Sequence, residues 1–285
     1  MSDYTIIEFF NSFPNDDACL EHLMGVRFGL SGSCPKCGRE GKYHRIKKLP
    51  AYGCQWCGHH IHPMVNTPFE KSRTSLRKWY YAMYLFTTSR HGAPAKELQR
   101  QLGVTYKCAW RMGHEIRKYM AKVDGDSGLS GHVEVDEAYI GGKDKTPGRP
   151  GKSSKKTAVL GMVERGGDIM TKVIPDTKSK TILPLVSANI EQGTTISTDE
   201  MPAYKRLPKL GYTHGYVQHG IEQWTKGIHH TNTIEGFWSR LKNSIRGTHV
   251  HVSRKYLPNY LGEFEYRYNM RKSPKWMFER LLGAF

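Results

Sequence analysis

The stretch HHTNTIEGFWSRLK, at residues 229–242, has the periodicity of an amphipathic helix. Its polar residues recur at spacings of three, four and three and are Asn232, Glu235, Ser239 and Lys242. Apolar residues fill the positions between them, so one face of the helix can pack while the other presents a carboxylate and a lysine together. A solvated helix face would show the same pattern. The role of this stripe therefore depends on whether other carboxylates meet it in the fold.

Two aspartates upstream lie at or near the ends of predicted strands. HVEVDEAYIGG, at residues 132–142, alternates between valines on one face and Glu134 and Asp136 on the other. TTISTDEMPAY, at residues 194–204, predicts a strand that delivers Asp199 at its carboxyl end. Carboxylates at strand ends commonly line a site in α/β sheets. Further strands are predicted at 158–164, 169–174 and 214–218, and helices at 180–190, around 204–207 and at 256–269.

The composition indicates a polyanionic partner. The chain has 285 residues, with 43 Lys plus Arg against 26 Asp plus Glu, and a formal net charge of +17. Such a length predicts one substantial core with one or two small modules, and such a charge suits nucleic acid. Neither a secretory signal nor a membrane span is recognisable in the sequence. We therefore expect no membrane association and a cytoplasmic location, on the nucleoid if the source is bacterial.

Four cysteines form two close pairs. Cys34 and Cys37 are followed, after sixteen intervening residues, by Cys54 and Cys57, and a glycine comes after each pair. This spacing predicts a tetrahedral zinc site of four thiolates, which is structural because no coordination position stays open. Unrelated cysteines or a redox pair are the alternative. In a chain without a secretory signal, metal binding is favoured over disulfides.

Residues 72–121 predict three helices, at 75–88, 94–102 and 105–120, with Gly103 between the last two. A short helix, a glycine turn and a longer helix form a helix-turn-helix, whose second helix enters the major groove of DNA. The candidate DNA contacts on or near this helix are Lys107, Arg111, His114, Arg117 and Lys118. A three-helix packing unit that binds no DNA would give the same pattern.

These patterns divide the chain into four parts. They are an N-terminal helical segment at 1–30, a zinc ribbon at 31–70, a helix-turn-helix module at 71–125 and an α/β domain at 130–285. The segment DGDSGLSG marks the last boundary, since glycine and serine are typical of linkers. A basic, glycine- and proline-rich stretch at 143–157 is expected to be mobile or to face DNA.

The motifs VEVDEAYIGG, TDEMPAY and HTNTIEGFWSRLKNSIRGTHVHVS, behind a zinc ribbon, resemble those of insertion-sequence transposases of the ISXO type. The resemblance extends over roughly residues 15–275. It implies an α/β fold in which an RNase H-like mixed sheet, flanked by helices, forms a DDE catalytic domain. It also implies metal-dependent cleavage and transfer of DNA strands.

The resemblance assigns roles to individual residues. Asp136 and Asp199 become the first two metal ligands, and Lys242 the basic residue that contacts a phosphate. The third ligand is Glu235, by charge compensation and by its seven-residue gap to Lys242, with Asn232 as the alternative. The neighbouring glutamates are expected in supporting or surface positions, and they are Glu134, Glu137 and Glu200. Arg246 and the basic residues around it are candidates for holding DNA ends.

The implied cofactors are two Mg²⁺ or Mn²⁺ ions at the catalytic site and one structural Zn²⁺ ion. The implied partner is double-stranded DNA, as element ends and as target. Because two ends must be joined, a homodimer or larger assembly is expected. The alternatives are a DNA-binding regulator derived from a transposase and an RNase H-like nuclease that cuts without joining.

Overall fold

The structure is a computed structural model that describes residues 4–89, 91–124, 128–141 and 156–284. Most of the basic segment predicted to be mobile or DNA-facing lies outside the described residues. The chain divides into two compact units, one made of Met1–Val123 with Lys272–Phe285 and the other of Asp124–Arg271. No helix in the described ranges is long and apolar enough to span a membrane.

The first unit begins with two helices and a small antiparallel sheet. Asn15 caps the second helix, because its side-chain Oδ1 accepts a hydrogen bond from the Ala18 N–H at 2.9 Å. Neighbouring strands pair in sequence order. The bounds are α1 Ile6–Ser12, α2 Asp16–Phe28, β1 Ser31–Ser33, β2 Glu40–Ile46, β3 Ala51–Cys54 and β4 His60–Ile61.

Three further helices follow, close to the predicted limits. They are α3 Leu76–Thr88, α4 Ala95–Leu102 and α5 Tyr106–Val123. Gly103 ends α4 at φ 59°, a left-handed conformation that favours glycine. The Thr105 Oγ1 accepts from the Cys108 N–H at 3.3 Å and caps α5. The predicted succession of a short helix, a glycine turn and a longer helix is therefore present.

The last helix, α9 Pro274–Leu282, belongs to this first unit. Its Phe278 is buried, with its ring centroid 5.9 Å from that of Phe9 and 6.0 Å from that of Tyr84. The sequence interpretation had placed 130–285 in one domain. That limit is wrong at the C-terminal end, because α9 buries its apolar face against helices from the start of the chain.

The second unit is built on a mixed sheet. In its described part the strand order is β7-β6-β5-β8-β9. The strands are β5 His132–Ile140, β6 Thr157–Glu164, β7 Ile169–Ile174, β8 Thr195–Thr198 and β9 Thr213–Tyr216. β5, β6 and β7 are antiparallel neighbours, whereas β8 and β9 run parallel to β5. This arrangement is the RNase H-like sheet that the sequence predicted.

Helices cover both faces of that sheet. α6 Ser179–Asn189 and a 3₁₀ helix at Pro202–Leu210 bury one face. The 3₁₀ helix contains Pro208, which cannot donate a backbone hydrogen bond. α7 Asn232–Ser244 and α8 Leu257–Asn269 bury the other face. α7 is the helix predicted at 229–242, and it begins three residues later than expected.

Candidate active site

Three carboxylates converge beside the central strand. Asp136 and Glu137 lie on β5, and Asp199 directly follows β8. Each offers an oxygen within 4.8 Å of the others. β8 pairs with β5 over His132–Glu134, so Asp136 and Glu137 lie just beyond that pairing, where β8 ends and Asp199 begins. Such a set of oxygens is suited to a hard divalent cation.

Burial raises the pKa of each carboxyl in this cluster. Burial, reinforced by the charge of Asp199, raises the pKa of Asp136 to about 6. Burial also raises the pKa of Glu137 to about 7, although a hydrogen bond from the Tyr204 hydroxyl opposes the shift. The pKa of Asp199 is raised for the same main reason. Negative charge that is this poorly compensated fits a site for a divalent cation.

α7 approaches Asp136 closely because a glycine lies beneath it. Gly161 on β6 pairs with Asp136, and a Cβ there would lie 2.4 Å from the Trp238 ring. The Trp238 Nε1 donates a hydrogen bond to Asp136 Oδ2 at 3.1 Å. Glycine is therefore required at 161 for the indole to reach and orient the carboxylate.

Glu134 anchors the first turn of α7. Its side chain is fully buried and accepts hydrogen bonds from the N–H groups of Thr233, at 2.8 Å, and Ile234, at 3.1 Å. The Arg165 Nε donates to the same carboxylate at 2.7 Å. Negative charge is stabilised at a helix N-terminus, where N–H groups are unsatisfied. Glu134 thus holds the helix in place and lies in a different environment from the acidic cluster, as the sequence had suggested for this residue.

Glu235 comes near the cluster from the first turn of α7. Its Oε1 accepts from the Thr231 hydroxyl at 2.6 Å and lies 3.5 Å from His219 Nε2. Its side chain is 42% exposed, yet it is close enough to raise the pKa of Asp136. Asn232, the first residue of α7, is exposed. The structure brings Asp136 and Asp199 together and places Glu235 at the rim of the site.

Glu137 was expected in a supporting or surface position, but one of its carboxylate oxygens lies within 4.8 Å of oxygens of Asp136 and Asp199. Strand alternation holds, because Asp136 faces Trp238 and Glu137 faces Tyr204 on the other side of the sheet. Here β8 stops, and the Tyr204 hydroxyl donates to Glu137 and holds it at this edge. Adjacent acids at a strand end were the signal available in the sequence. Glu200 instead accepts from the His219 N–H at 2.7 Å, outside the cluster.

Lys242 lies two turns along α7 from Glu235. It lines a groove together with Arg246, from the turn after α7, and Tyr139, from the end of β5. The groove has a volume of about 420 Å³. Both predicted basic residues therefore border the same depression of the catalytic unit.

The candidate DNA contacts on α5 separate into two groups. Lys107, Arg111 and Lys118 are exposed, as a DNA-reading face requires. His114 and Arg117 are buried, with 6% and 3% of their surface exposed, and the prediction that they contact DNA is wrong for this arrangement. The Arg117 guanidinium lies 4.9 Å from the centre of the Phe86 ring and donates to the Ala93 carbonyl at 3.2 Å, so it packs the three helices together. Tyr106 and Trp110 are also exposed on the same helix, although they were not among the candidate contacts.

The four cysteines meet as two matched turns. Gly38 and Gly58 have φ of 68° and 66°, and their N–H groups bond to the carbonyls of Cys34 and Cys54. The Sγ atoms of Cys34 and Cys57 are 3.7 Å apart, and those of Cys37 and Cys54 are 3.9 Å apart. A tetrahedral zinc ion with Zn–S bonds of about 2.3 Å separates its sulfurs by about 3.8 Å. The thiols therefore fit a structural zinc ion without rearrangement.

Comparisons with known proteins agree with both sites. Residues 128–269 match the model of the ISXO2-like transposase domain, and residues 14–60 match that of the transposase zinc-ribbon domain. A protein of transposable element ISH50 from Halobacterium salinarum is 26% identical over 282 residues, which cover 92% of this chain and 94% of that protein. A transposase-like protein from Haemophilus influenzae is 24% identical over 101 residues, or 35% of this chain and 80% of that protein.

Solved structures similar to the chain include two Mos1 complexes. The Mos1 strand transfer complex has 12% identity and a TM-score of 0.29, with 72% of this chain and 77% of that one covered. The mariner Mos1 paired-end complex with Mg has 13% identity and a TM-score of 0.31, with 66% and 72% covered. The assignment of the chain to a family rests on the two domain models and on the 26% identity to the ISH50 protein. The chain belongs to the ISXO2-like transposases, DDE-type enzymes of insertion sequences that carry an RNase H-like catalytic domain and a zinc ribbon.

Proposed function

We propose that the protein binds the ends of its insertion sequence and catalyses metal-dependent DNA cleavage followed by strand transfer. The observation that carries this proposal is the convergence of Asp136 and Asp199 beside β5, with Glu235 on the adjoining first turn of α7. Carboxylates in this position can hold divalent cations. Such cations would offset the negative charge of the DNA and the charge that develops during phosphoryl transfer.

Asp136, Asp199 and Glu235 would hold two divalent cations, Mg²⁺ or Mn²⁺, with Asn232 as the alternative to Glu235. The burial and raised pKa values of Asp136 and Asp199 support this, because a cation would stabilise their charged forms. Cations bound in this way polarise the phosphodiester and lower the pKa of the attacking water or hydroxyl. Glu137 would lie against the same oxygens as a further acidic neighbour. Trp238 keeps Asp136 oriented toward the site.

In cleavage, a water oxygen bonds to phosphorus and the bond from phosphorus to the 3′ oxygen breaks, which frees a 3′ hydroxyl. In transfer, that hydroxyl oxygen attacks a target phosphodiester, and the displaced oxygen leaves as a new 3′ hydroxyl. Lys242 would contact a phosphate near these atoms. A lysine that stays charged supplies electrostatic attraction rather than a base.

Recognition of double-stranded DNA would come from the first unit. The exposed Lys107, Arg111 and Lys118 on α5 support this, as does the net charge of +17. The zinc ribbon would hold one structural Zn²⁺ through Cys34, Cys37, Cys54 and Cys57. Because two element ends are joined to one target, a dimer or larger assembly would carry out the reaction.

The test is a strand-transfer assay with cognate element ends and Mg²⁺. We expect cleaved ends and joined products, and we expect Asp136→Asn to abolish both while end binding persists. Tight end binding without cleavage by the unaltered protein would favour a DNA-binding regulator. Cleavage without joined products would favour a nuclease, and either result would overturn the proposal.

A further inference from the structure

A groove of about 420 Å³ opens between the end of β5 and the end of α7. Sites for small molecules commonly have volumes of about 300–1,000 Å³, so this one is large enough for a single nucleotide unit. Tyr139 forms part of its wall, and half of that side chain is exposed. The groove is thus a concave surface of the catalytic unit that the acidic cluster does not use.

The lining combines positive charge with apolar surface. The basic side chains are Lys156, Lys242, Arg246 and His251. The aromatic ring of Tyr139 and the side chain of Val250 add apolar surface to the same lining. Among the described residues no carboxylate lines the groove. Basic side chains bind phosphates, and an aromatic or apolar surface stacks with a base. A nucleotide would therefore contact both parts of the lining.

An unusual backbone shapes one side of this groove. After α7 the chain makes a π-helical turn at Ile245–His249, and Val250 then adopts φ 63° and ψ −49°. A β-branched residue rarely adopts a positive φ, and both features recur at functional sites. Val250 is also 67% exposed, so burial of its side chain is not what holds this conformation.

The groove lies a short distance from the carboxylates. Tyr139 is three residues beyond Asp136 on β5, which corresponds to about 10 Å at a strand rise of about 3.3 Å per residue. Lys242 is seven residues beyond Glu235 on α7, which also corresponds to about 10 Å at about 1.5 Å per residue. Along the axis of a DNA duplex, this distance corresponds to about three base pairs, at a rise of about 3.4 Å each.

We propose that the groove holds one nucleotide of the element end with its base turned out of the helical stack, about three nucleotides from the cleaved bond. A paired base could bring its phosphate to the basic residues, but its faces are stacked inside the duplex and could not lie against the Tyr139 ring. Turning one base out would also loosen the duplex beside the buried Asp136. This inference rests on the proposed function, because it takes DNA as the ligand.

The test is a fluorescence scan with cognate duplex ends that carry 2-aminopurine at successive positions near the cleaved bond. Zinc-loaded protein is added without Mg²⁺, so no cleavage occurs. We expect a several-fold rise in fluorescence at one position. Tyr139→Ala should remove that rise and weaken end binding roughly fivefold or more, the lower range for base–aromatic stacking. Tyr216→Ala is the matched control, since Tyr216 is 42% exposed on the same sheet but does not line the groove.

A second arm replaces the responding nucleotide with an abasic one. The unaltered protein should bind this end at least as tightly as the normal end, since no base has to be unstacked. Tyr139→Ala should then bind no more weakly than the unaltered protein. A flat fluorescence scan, or a rise that survives Tyr139→Ala, would overturn the inference. Failure of the proposed function would look different, because cleavage would then be absent when Mg²⁺ is added, whatever the scan gives.

Discussion

The zinc ribbon and the acidic cluster both gather metal-ligand side chains, but they draw them from very different lengths of chain. The cysteines fall between residues 34 and 57, and two similar turns position all of them. The carboxylates of Asp136 and Asp199, and that of Glu235 at the rim, are spread between residues 136 and 235 and meet only when β5, β8 and α7 assemble. The first site depends on local turns, whereas the second depends on the packing of the whole catalytic unit.

The sharpest test of the second site compares Glu235→Gln with Glu137→Gln. We expect Glu235→Gln to slow strand cleavage by roughly 10³-fold, because loss of a metal ligand removes several kcal/mol of transition-state stabilisation. Glu137→Gln should slow it about tenfold, since the amide keeps its bond with Tyr204 and only the local charge changes. Single-turnover cleavage of a labelled element end measures both.

The reverse order of effects would make Glu137 the third ligand and assign Glu235 a role at the rim. Asn232→Ala completes the comparison, because a loss as large as that of Glu235→Gln would favour the asparagine. All variants should keep their end affinity and zinc content, which separates a loss of catalysis from a loss of folding.

Removing zinc should disturb the first site and leave the second intact. Cys37→Ser is expected to lower the zinc content and weaken end binding about tenfold or more, because metal binding supplies much of the folding free energy of such small domains. Cys108→Ser is the control, since Cys108 lies outside the cluster and contacts the Thr74 hydroxyl at 3.1 Å. Zinc content and end affinity are measured for both. Normal end binding by zinc-free Cys37→Ser would contradict the prediction.

A substitution beneath α7 should damage the acidic site without touching any carboxylate. Gly161→Ala places a Cβ against the Trp238 ring, so we expect the helix to shift and the cleavage rate to fall roughly 10- to 100-fold, as small misplacements in active sites do. Gly236→Ala is the matched control, because a Cβ there has open space on α7 itself. Equal rates for the two variants would show that the contact between Trp238 and Asp136 has no catalytic weight.

The same difference explains what could be predicted from the sequence. The cysteine spacing alone specified the zinc cluster, and strand and helix periodicity placed β6, β7 and α8 within a residue or two. Periodicity could not show that β8 ends beside Glu137, which puts neighbouring acids into one site. Nor could it show that Arg117 extends over Phe86 instead of toward DNA, because an amphipathic pattern does not reveal which long polar side chains pack inward. The place of α9 depends on Phe9 and Tyr84, far away in the sequence.

The smallest expected effect concerns stability without catalytic metal. The folded state raises the pKa of Asp136 to about 6 and that of Glu137 to about 7, so it binds more protons than the unfolded state between about pH 4 and those values. The stability that these carboxyls contribute is therefore full below about pH 4 and is lost as the pH rises from there to about 6 to 7. We expect Asp136→Asn to raise the melting temperature of zinc-loaded, magnesium-free protein at pH 8 by roughly 2–4 °C, the shift for about 1 kcal/mol in a protein of this size. The difference should shrink as the pH falls and vanish only below about pH 4, where Asp136 is protonated in the unfolded chain as well. Added Mg²⁺ should stabilise the unaltered protein at pH 8 and leave Asp136→Asn almost unchanged. A variant that melts below the unaltered protein at pH 8 would contradict the prediction. It would show that the buried, charged Asp136 carboxylate does not destabilise the folded state.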